Sequence, residues 1–143
     1  MDAGRRTRDD DGDMSAGTRR TALVTGATSG LGREVALRLA ARDVHVLIHG
    51  RSREGARAVV AKIRDREAGG AETRFADFAS RELARRLADA VRADHDRLDL
   101  LVNNAGIYRR PRGRAVSEDG YELRFQVNYL SHFLLTRLLL PLL

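Results

Sequence analysis

Apolar and polar positions follow two different periods along residues 21–143. Short apolar runs of β-prone residues predict four strands, at residues 21–25, 44–48, 72–76 and 98–103. After the first run, apolar residues recur at helical spacing at Leu31, Val35, Ala36, Leu39 and Ala40. Because strand and helix alternate along the chain, the sequence predicts an α/β fold. It is expected to be a doubly wound parallel sheet of about four strands, with helices on both faces.

Local signals mark the ends of the predicted helices. Ser52 and Ser80 stand where an N-cap would begin the second and third helices. The Gly69-Gly70 pair is expected to end the second helix. Residues 119–143 are predicted to be mostly helical, and their apolar side chains cover more than one face. This last helix is therefore expected to be buried on several sides.

Residues 1–20 differ in composition from the rest of the chain. They contain arginine and aspartate in equal numbers and almost no apolar residues. A signal peptide requires an apolar stretch and a membrane span requires a longer one, so neither is predicted. We expect a disordered tail over residues 1–20, a single domain over residues 21–143, and a cytoplasmic protein.

The chain is basic, with a formal net charge of +6 over 143 residues. Aromatic residues make up only 5%, and the arginines are scattered among acidic residues. A protein that binds nucleic acid usually concentrates its basic residues on one face and interleaves them with aromatics. The sequence therefore predicts no nucleic-acid partner.

Residue usage excludes several kinds of chemistry. The chain has no cysteine, so it has neither a Cys-ligated zinc site nor a Cys nucleophile. The single lysine, Lys62, follows an alanine and cannot belong to a phosphate-binding P-loop. His45 and His49 share one face of the second strand without a carboxylate cluster nearby in sequence, and His95 is expected to be exposed. No metal site is predicted.

A glycine-rich turn joins the first strand to the first helix. Residues 25–32 read Thr-Gly-Ala-Thr-Ser-Gly-Leu-Gly. Glycine permits a positive φ and close approach of a ligand to the backbone, and the helix N-terminus offers N–H groups to a phosphate. Gly32 is expected to let the helix pack tightly on the strand. A plain strand-to-helix turn is the alternative, but three glycines in a βαβ unit favour a dinucleotide site.

Four motifs in this order resemble the short-chain dehydrogenase/reductase family. They are the Thr-Gly-x-x-x-Gly-x-Gly turn, Asp77-Phe78 after the third strand, Asn103-Asn104-Ala105-Gly106 after the fourth, and Val127-Asn128 in the last helix. The resemblance covers residues 21–143, and residues 119–136 look most like the retinol-dehydrogenase-like branch. It implies an NAD(P)-binding Rossmann domain, in this case only the cofactor-binding half of the family's fold.

The resemblance also implies roles for individual residues. Asn128 corresponds to the family's helix asparagine, which helps to hold a proton-relay water in the catalytic tetrad. The residues expected to contact the cofactor are Thr25, Gly26, Thr28, Ser29, Gly30, Leu31, Gly32, Asp77, Phe78, Asn104, Ala105, Gly106 and Val127.

The end of the second strand indicates which nicotinamide cofactor is preferred. NAD-binding sites usually carry Asp or Glu there to bind the ribose 2′-hydroxyl. This chain has His49-Gly50-Arg51-Ser52 and no acid. A guanidinium binds a 2′-phosphate well, and the family resemblance implies the same use of Arg51. The sequence therefore predicts that NADP(H) is favoured over NAD(H).

The family's catalytic tyrosine and lysine stand four residues apart on one helix, as Tyr-x-x-x-Lys. Here Tyr108, Tyr121 and Tyr129 are followed at that spacing by arginine or phenylalanine, never by lysine. The domain is therefore expected to be truncated before the catalytic serine and the Tyr-x-x-x-Lys segment, and this chain alone is expected to be inactive.

Two functions remain open from the sequence. One is an oxidoreductase of the short-chain type, which the resemblance implies acts on an apolar alcohol or carbonyl compound and forms a homo-oligomer through the C-terminal helix. The other is a non-catalytic dinucleotide-binding fragment or decayed gene product, which the lack of Tyr-x-x-x-Lys favours.

Overall fold

A computed structural model describes residues 19–66, 69–108 and 115–143. Most of the predicted tail and the arginine-rich residues 109–114 lie outside the described residues. Arg20, the last residue assigned to the tail, already belongs to the sheet network, because its carbonyl accepts a hydrogen bond from the His45 N–H at 2.8 Å. The backbone of Arg20 therefore joins the same hydrogen-bond ladder as β1 and β2.

The four predicted strands and the three helices between them are all present. The strands are β1 (Thr21–Val24), β2 (His45–Gly50), β3 (Ala71–Phe75) and β4 (Leu100–Val102), and the helices are α1 (Gly30–Ala40), α2 (Arg53–Asp65) and α3 (Arg81–Asp94). Every strand pair is parallel, in the order β3-β2-β1-β4. This is the Rossmann-type doubly wound sheet that the alternation of elements predicts.

The two predicted serine caps are confirmed. The Ser52 hydroxyl accepts a hydrogen bond from the Gly55 N–H at 3.0 Å, and that of Ser80 accepts one from the Leu83 N–H at 3.4 Å. Each bond satisfies an N–H group that has no partner within its own helix.

The last helix begins later than predicted and is not uniform. It comprises α4 (Leu123–Phe125), a π-helical segment (Gln126–Leu130), α5 (Ser131–Leu139) and a final 3₁₀ turn (Leu140–Leu142). Before it, residues 118–121 form a turn in which Gly120 has φ +84°. A positive φ cannot continue a right-handed helix, so the helix cannot extend back to residue 119.

The sheet separates two apolar cores. On one face, Ala36, Ala40, Val59 and Ile63 of α1 and α2 pack on alternate residues of β1 and β2. On the other face, α3 and α5 cover the remaining strand residues, and Leu135 and Leu139 are fully buried. Helices thus lie on both faces, as the sequence predicts.

The strand order determines where a ligand can bind. From β1 the chain runs to β2 on one side, and β4 later pairs with β1 on the other side. The loops that follow β1 and β4 therefore diverge to opposite faces and leave a crevice at the carboxyl ends of the strands. Open α/β sheets bind their ligands at such a switch point.

Candidate cofactor-binding site

The cleft at the carboxyl ends of the strands has a volume of about 810 Å³. Its walls come from the loops that follow all four strands and from the start of α1. Thirteen of the residues singled out from the sequence line it, namely Gly26, Thr28, Ser29, Gly30, Leu31, Gly32, Arg51, Asp77, Phe78, Asn104, Ala105, Gly106 and Val127. Thr25 and Asn128 are not among the lining residues.

The glycine turn depends on its glycines for two reasons. Gly26 and Gly30 have φ values of +64° and +54°, which side chains rarely allow. A Cβ on Gly32 would collide with the carbonyl oxygen of Gly26 and with the Asn104 side chain. Gly32 therefore allows α1 to approach the turn and the loop after β4. The expectation that Gly32 also lets α1 pack tightly on β1 stays a prediction.

The first turn of α1 is open toward the cleft. Its N-cap, Ser29, is extended and makes no side-chain hydrogen bond to the helix. The first N–H groups of α1 are thus left uncapped by Ser29, and Gly30, Leu31 and Gly32 all line the cleft. An uncapped helix N-terminus beside a glycine-lined cavity fits a phosphate group.

Thr25 is fully buried and works inside the protein rather than at the cleft surface. Its hydroxyl oxygen accepts hydrogen bonds from the N–H groups of Asn104 and Ala105, at 2.8 and 3.0 Å. Its contacts tie the loop after β4 to the end of β1. Thr25, predicted from the sequence to contact the cofactor, therefore lies behind the wall of the cleft. Its hydroxyl is occupied by hydrogen bonds to the loop after β4.

Asn104 completes this attachment. Its side-chain amide donates to the carbonyl oxygens of Thr25 and Gly26, at 2.9 and 3.3 Å. The Asn103 amide donates to the Thr136 hydroxyl on α5 at 3.1 Å. The Asn-Asn pair therefore holds the turn after β1, the loop after β4 and α5 together.

Arg51 and Asp77 face each other at one end of the cleft. Their closest charged atoms, Nη1 and Oδ2, are 3.9 Å apart, and the Arg51 side chain is 71% exposed. Asp77 Oδ1 also accepts a hydrogen bond from the Ala79 N–H at 2.9 Å, which holds the loop after β3. The guanidinium is therefore free to contact a bound anion without losing a buried bond.

His49 is a buried lining residue to which the sequence analysis gave no role. Burial, opposed in part by a bond to the Ala76 carbonyl, lowers its pKa from 6.5 to about 4, and the nearby His132 adds to this lowering. Its Nδ1 lies 3.3 Å from the Gly26 N–H and its ring stacks on Phe78 at 4.5 Å. The available signal was its position at the end of β2, beside the turn.

Asn128 lies in the π-helical segment and is anchored to the loop after β4. Its Oδ1 accepts from the Ile107 N–H at 2.8 Å, and its Nδ2 donates to the Ile107 carbonyl at 3.1 Å. Its side chain is thus aligned by both polar groups of one backbone residue. A catalytic role for Asn128 remains a prediction.

His95 is not exposed, contrary to expectation. It lies at the opposite end of the sheet from the cleft, where its Nε2 is 2.8 Å from Glu72 Oε1. Arg74 also contacts this carboxylate, at 3.0 Å, and His45 does so at 3.4 Å. Partial burial raises the pKa of Glu72, but Arg74, His95 and His45 together outweigh it, so the pKa is lowered. The sequence could not show this cluster because strand β3 and the end of α3 meet only in the folded chain.

Among residues 19–66, 69–108 and 115–143, no three or more His, Cys, Asp or Glu side chains are arranged to hold a metal ion. None of the helices in this part of the chain combines the length and apolar character needed to cross a membrane.

Known proteins share this sequence pattern. A family model described as short chain dehydrogenase matches residues 20–143. Polyprenol dehydrogenase from Danio rerio is 43% identical over 122 residues, which are 85% of this chain and 37% of that protein. Retinol dehydrogenase 13 from Homo sapiens is 39% identical over 122 residues, again 85% of this chain and 36% of that protein.

Solved structures share the fold. An NADP complex of RhlG from Pseudomonas aeruginosa has a TM-score of 0.73 at 35% identity, covering 87% of this chain and 48% of that one. A metagenomic short-chain oxidoreductase in complex with NADP has a TM-score of 0.74 at 31% identity, covering 85% of this chain and 55% of that one.

The chain spans little more than a third of the length of the curated relatives it matches. Within that span, the family model extends from one residue before β1 to the last residue of the chain. The motifs, the parallel sheet and these matches agree. The chain belongs to the short-chain dehydrogenase family and resembles its retinol dehydrogenases.

Proposed function

We propose that this chain provides the cofactor-binding half of an NADP(H)-dependent oxidoreductase. The observation that carries the proposal is the cleft itself, in which a glycine turn, an uncapped helix N-terminus and an exposed guanidinium surround one cavity. The reaction would transfer a hydride between the nicotinamide and a carbonyl or alcohol carbon, which is the chemistry that the cofactor supplies when bound.

The residues present fit such a cofactor. The N–H groups at the start of α1 would bind the pyrophosphate, and Gly32 lets α1 approach the turn closely enough to present them to the cleft. Asp77 and Phe78 border the same end of the cleft as Arg51 and would enclose the adenosine. Asn104 and Gly106 would border the nicotinamide end, on the side of Asn128.

Arg51 supports a preference for the phosphorylated cofactor. It follows β2, lines the cleft and has no acidic residue beside it in sequence. A guanidinium can form two parallel hydrogen bonds to a 2′-phosphate, whereas a ribose hydroxyl gains little from it. Two of the similar solved structures are named as NADP complexes.

Arg51→Asp is expected to reverse this preference. Loss of a charged hydrogen-bond partner should weaken NADPH binding by about 10- to 100-fold, while NADH binding should hold or improve. Calorimetric titration of both cofactors measures the ratio. Arg57→Asp, at an exposed position on α2 outside the cleft lining, is the matched control for the change in charge. An unchanged ratio in the Arg51 variant would show that the assignment is wrong.

The proposed substrate is an apolar alcohol or carbonyl compound. Ile107 and Tyr108 line the cleft next to Gly106, and the Tyr108 side chain is 85% exposed. Two similar proteins are named as dehydrogenases of polyprenol and retinol. The Asn128–Ile107 pairing would keep this wall in place beside the reacting end of the cofactor.

A second candidate function is non-catalytic dinucleotide binding. It is favoured by one observation, that none of the three tyrosines is followed four residues later by lysine. One measurement bears directly on the second candidate. Oxidation of NADPH by retinal or a similar apolar aldehyde would contradict a non-catalytic function, whereas tight NADPH binding without turnover is expected of both candidates, because this chain alone is expected to be inactive.

An exposed aromatic row supports a homo-oligomer through the C-terminal helix. Phe125, Tyr129 and Phe133 stack along one side of it, with ring centroids 5.4 and 6.4 Å apart. They are 49%, 56% and 58% exposed, which is unusual for three contiguous aromatic side chains. We propose that a second copy of the chain covers this row.

The combined variant Phe125→Ser, Tyr129→Ser and Phe133→Ser is expected to be a monomer. Burial of a single aromatic side chain is worth about 2 kcal/mol, so three lost contacts should abolish a micromolar dimer. Sedimentation velocity compares the variant with the wild type. Tyr121→Ser, at an exposed aromatic position that precedes the helix, serves as control. A monomeric wild type would contradict this proposal.

A further inference from the structure

Two buried histidines approach the start of the glycine turn from opposite sides. His49 lies at the end of β2 and His132 on α5, and they are 2% and 7% exposed. His49 faces the Gly26 N–H, and His132 faces the hydroxyl of the preceding residue, Thr25. Neither histidine received a role from the family motifs.

The contacts of His49 fix which ring nitrogen carries the proton. The Gly26 N–H can only donate, so Nδ1, at 3.3 Å, must accept. The ring proton is then on Nε2, which lies 3.2 Å from the carbonyl oxygen of Ala76. One neutral imidazole thus links the turn after β1, the end of β2 and the end of β3.

The contacts of His132 require the opposite tautomer. Both lone pairs of the Thr25 hydroxyl oxygen are used by the N–H groups of Asn104 and Ala105. The hydroxyl can therefore only donate to His132 Nε2, at 3.0 Å, sharing its proton with the Val102 carbonyl. The ring proton is then on Nδ1, which faces the Asn128 carbonyl at 3.4 Å.

Phe78 fills the space between the two histidines. His49 stacks on it with an interplanar angle of 20°, and His132 meets it edge-on with ring centroids 5.1 Å apart. Such packing leaves little room for water to replace either hydrogen bond. The charged or titratable neighbours of His49 are His132, which lowers its pKa, and Asp77, which raises it, and Arg51 follows two residues later in the chain. The Asn128 carbonyl is the polar neighbour of the His132 ring and raises its pKa.

We propose that His49 and His132 are positioning residues that hold Thr25 and Gly26 in the cofactor-binding conformation. Each acts as a neutral hydrogen-bond acceptor, one for the Gly26 N–H and one for the Thr25 hydroxyl. The inference rests on the proposed function, because it assumes that the turn binds NADP(H). Protonation of His49 would place a donor against the Gly26 N–H, and protonation of His132 would remove the acceptor that the Thr25 hydroxyl uses.

The first test needs no substitution and no cofactor. Nitrogen-15 spectra of the imidazoles at pH 7 are expected to show His49 protonated on Nε2 only and His132 protonated on Nδ1 only. If both histidines carried the proton on the same ring nitrogen, or if either ring were doubly protonated, the inference would be overturned whether or not the chain binds NADPH.

The second test separates hydrogen bonding from packing. His49→Phe and His132→Phe keep a ring against Phe78 but lose the acceptor, and each is expected to weaken NADPH binding about tenfold. His49→Asn and His132→Gln restore an acceptor near Nδ1 and near Nε2, and each is expected to recover most of the affinity. His45→Phe, on the same strand but outside the cleft lining, is the control and should bind like the wild type.

The outcomes distinguish this inference from the proposed function. A folded wild type that does not bind NADPH contradicts the proposed function, and this inference fails with it. A wild type that binds, with phenylalanine variants of equal affinity, contradicts this inference alone. Phenylalanine variants that are weak but not rescued by Asn or Gln also overturn it, because packing rather than an acceptor would then be responsible.

Discussion

Gly32→Ala is expected to weaken NADPH binding by at least about 100-fold, the largest effect of any single substitution considered for this site. The added Cβ would overlap the Gly26 carbonyl oxygen and the Asn104 side chain. The carbonyl belongs to backbone and cannot swing aside, so α1 must move away from the turn. The phosphate-binding N–H groups would move with it. Titration calorimetry gives the affinity, and urea unfolding gives the accompanying loss of stability, about 1–3 kcal/mol.

Gly120→Ala is the matched control for that substitution. Gly120 has φ +84°, a Cβ there meets no atom within 4 Å, and it does not line the cleft. Its cost, about 1–2 kcal/mol, should come from backbone strain alone, with no change in affinity for NADPH. Should Gly32→Ala bind as the wild type does, close approach of α1 to the turn would not be needed for binding.

The second large effect is a loss of folding stability at acid pH that depends on His49. The ring's pKa is about 4 in the folded protein and 6.5 when unfolded, so between these values the unfolded chain binds more protons. The contribution of His49 to the free energy of unfolding is therefore fully present above pH 6.5 and is lost as the pH is lowered toward 4. The difference in pKa corresponds to about 3 kcal/mol. Burial also lowers the pKa of His132, which acts in the same direction.

His49→Asn isolates this contribution, since asparagine does not titrate. The variant is expected to be less stable than the wild type at pH 7.5 but to lose much less stability between pH 6.5 and 4. Urea unfolding at half-unit pH intervals gives both curves. Equal slopes for the two proteins in this window would mean that His49 is not the titrating group. Both proteins contain the same carboxyl groups with lowered pKa values, so the contributions of these groups to the pH dependence cancel in the comparison. They are Glu72, Asp99, Asp119 and Glu122.

Features set by nearby residues could be predicted from the sequence. The strands, the serine caps and the glycine turn each depend on a short stretch of chain whose spacing carries the information. Thirteen predicted site residues line one cleft because the motifs follow the carboxyl ends of parallel strands, which meet at one edge. Parallel topology thus converts separate local signals into one site.

Features set by distant pairs could not be predicted. His95 meets Glu72, and Thr25 meets His132, across 23 and 107 residues of sequence. A histidine in isolation gives no sign of which partner it will find, so His95 was expected to be exposed and His132 received no role. Thr25 was assigned to the cofactor because it belongs to the motif, although its hydroxyl serves the loop after β4.

The π-helical segment has a consequence for how the last helix tolerates insertions and deletions. A π turn contains about one more residue than an α turn, which shifts the angular position of every later side chain by about 100°. Asn128 lies within this segment and His132 two residues after it, and they face different partners, Ile107 and Thr25. Deleting one residue between Asn128 and His132 would rotate the two side chains by about 100° relative to each other. Only one of them could then still reach its partner. The number of residues in this helix is therefore as constrained as their identity.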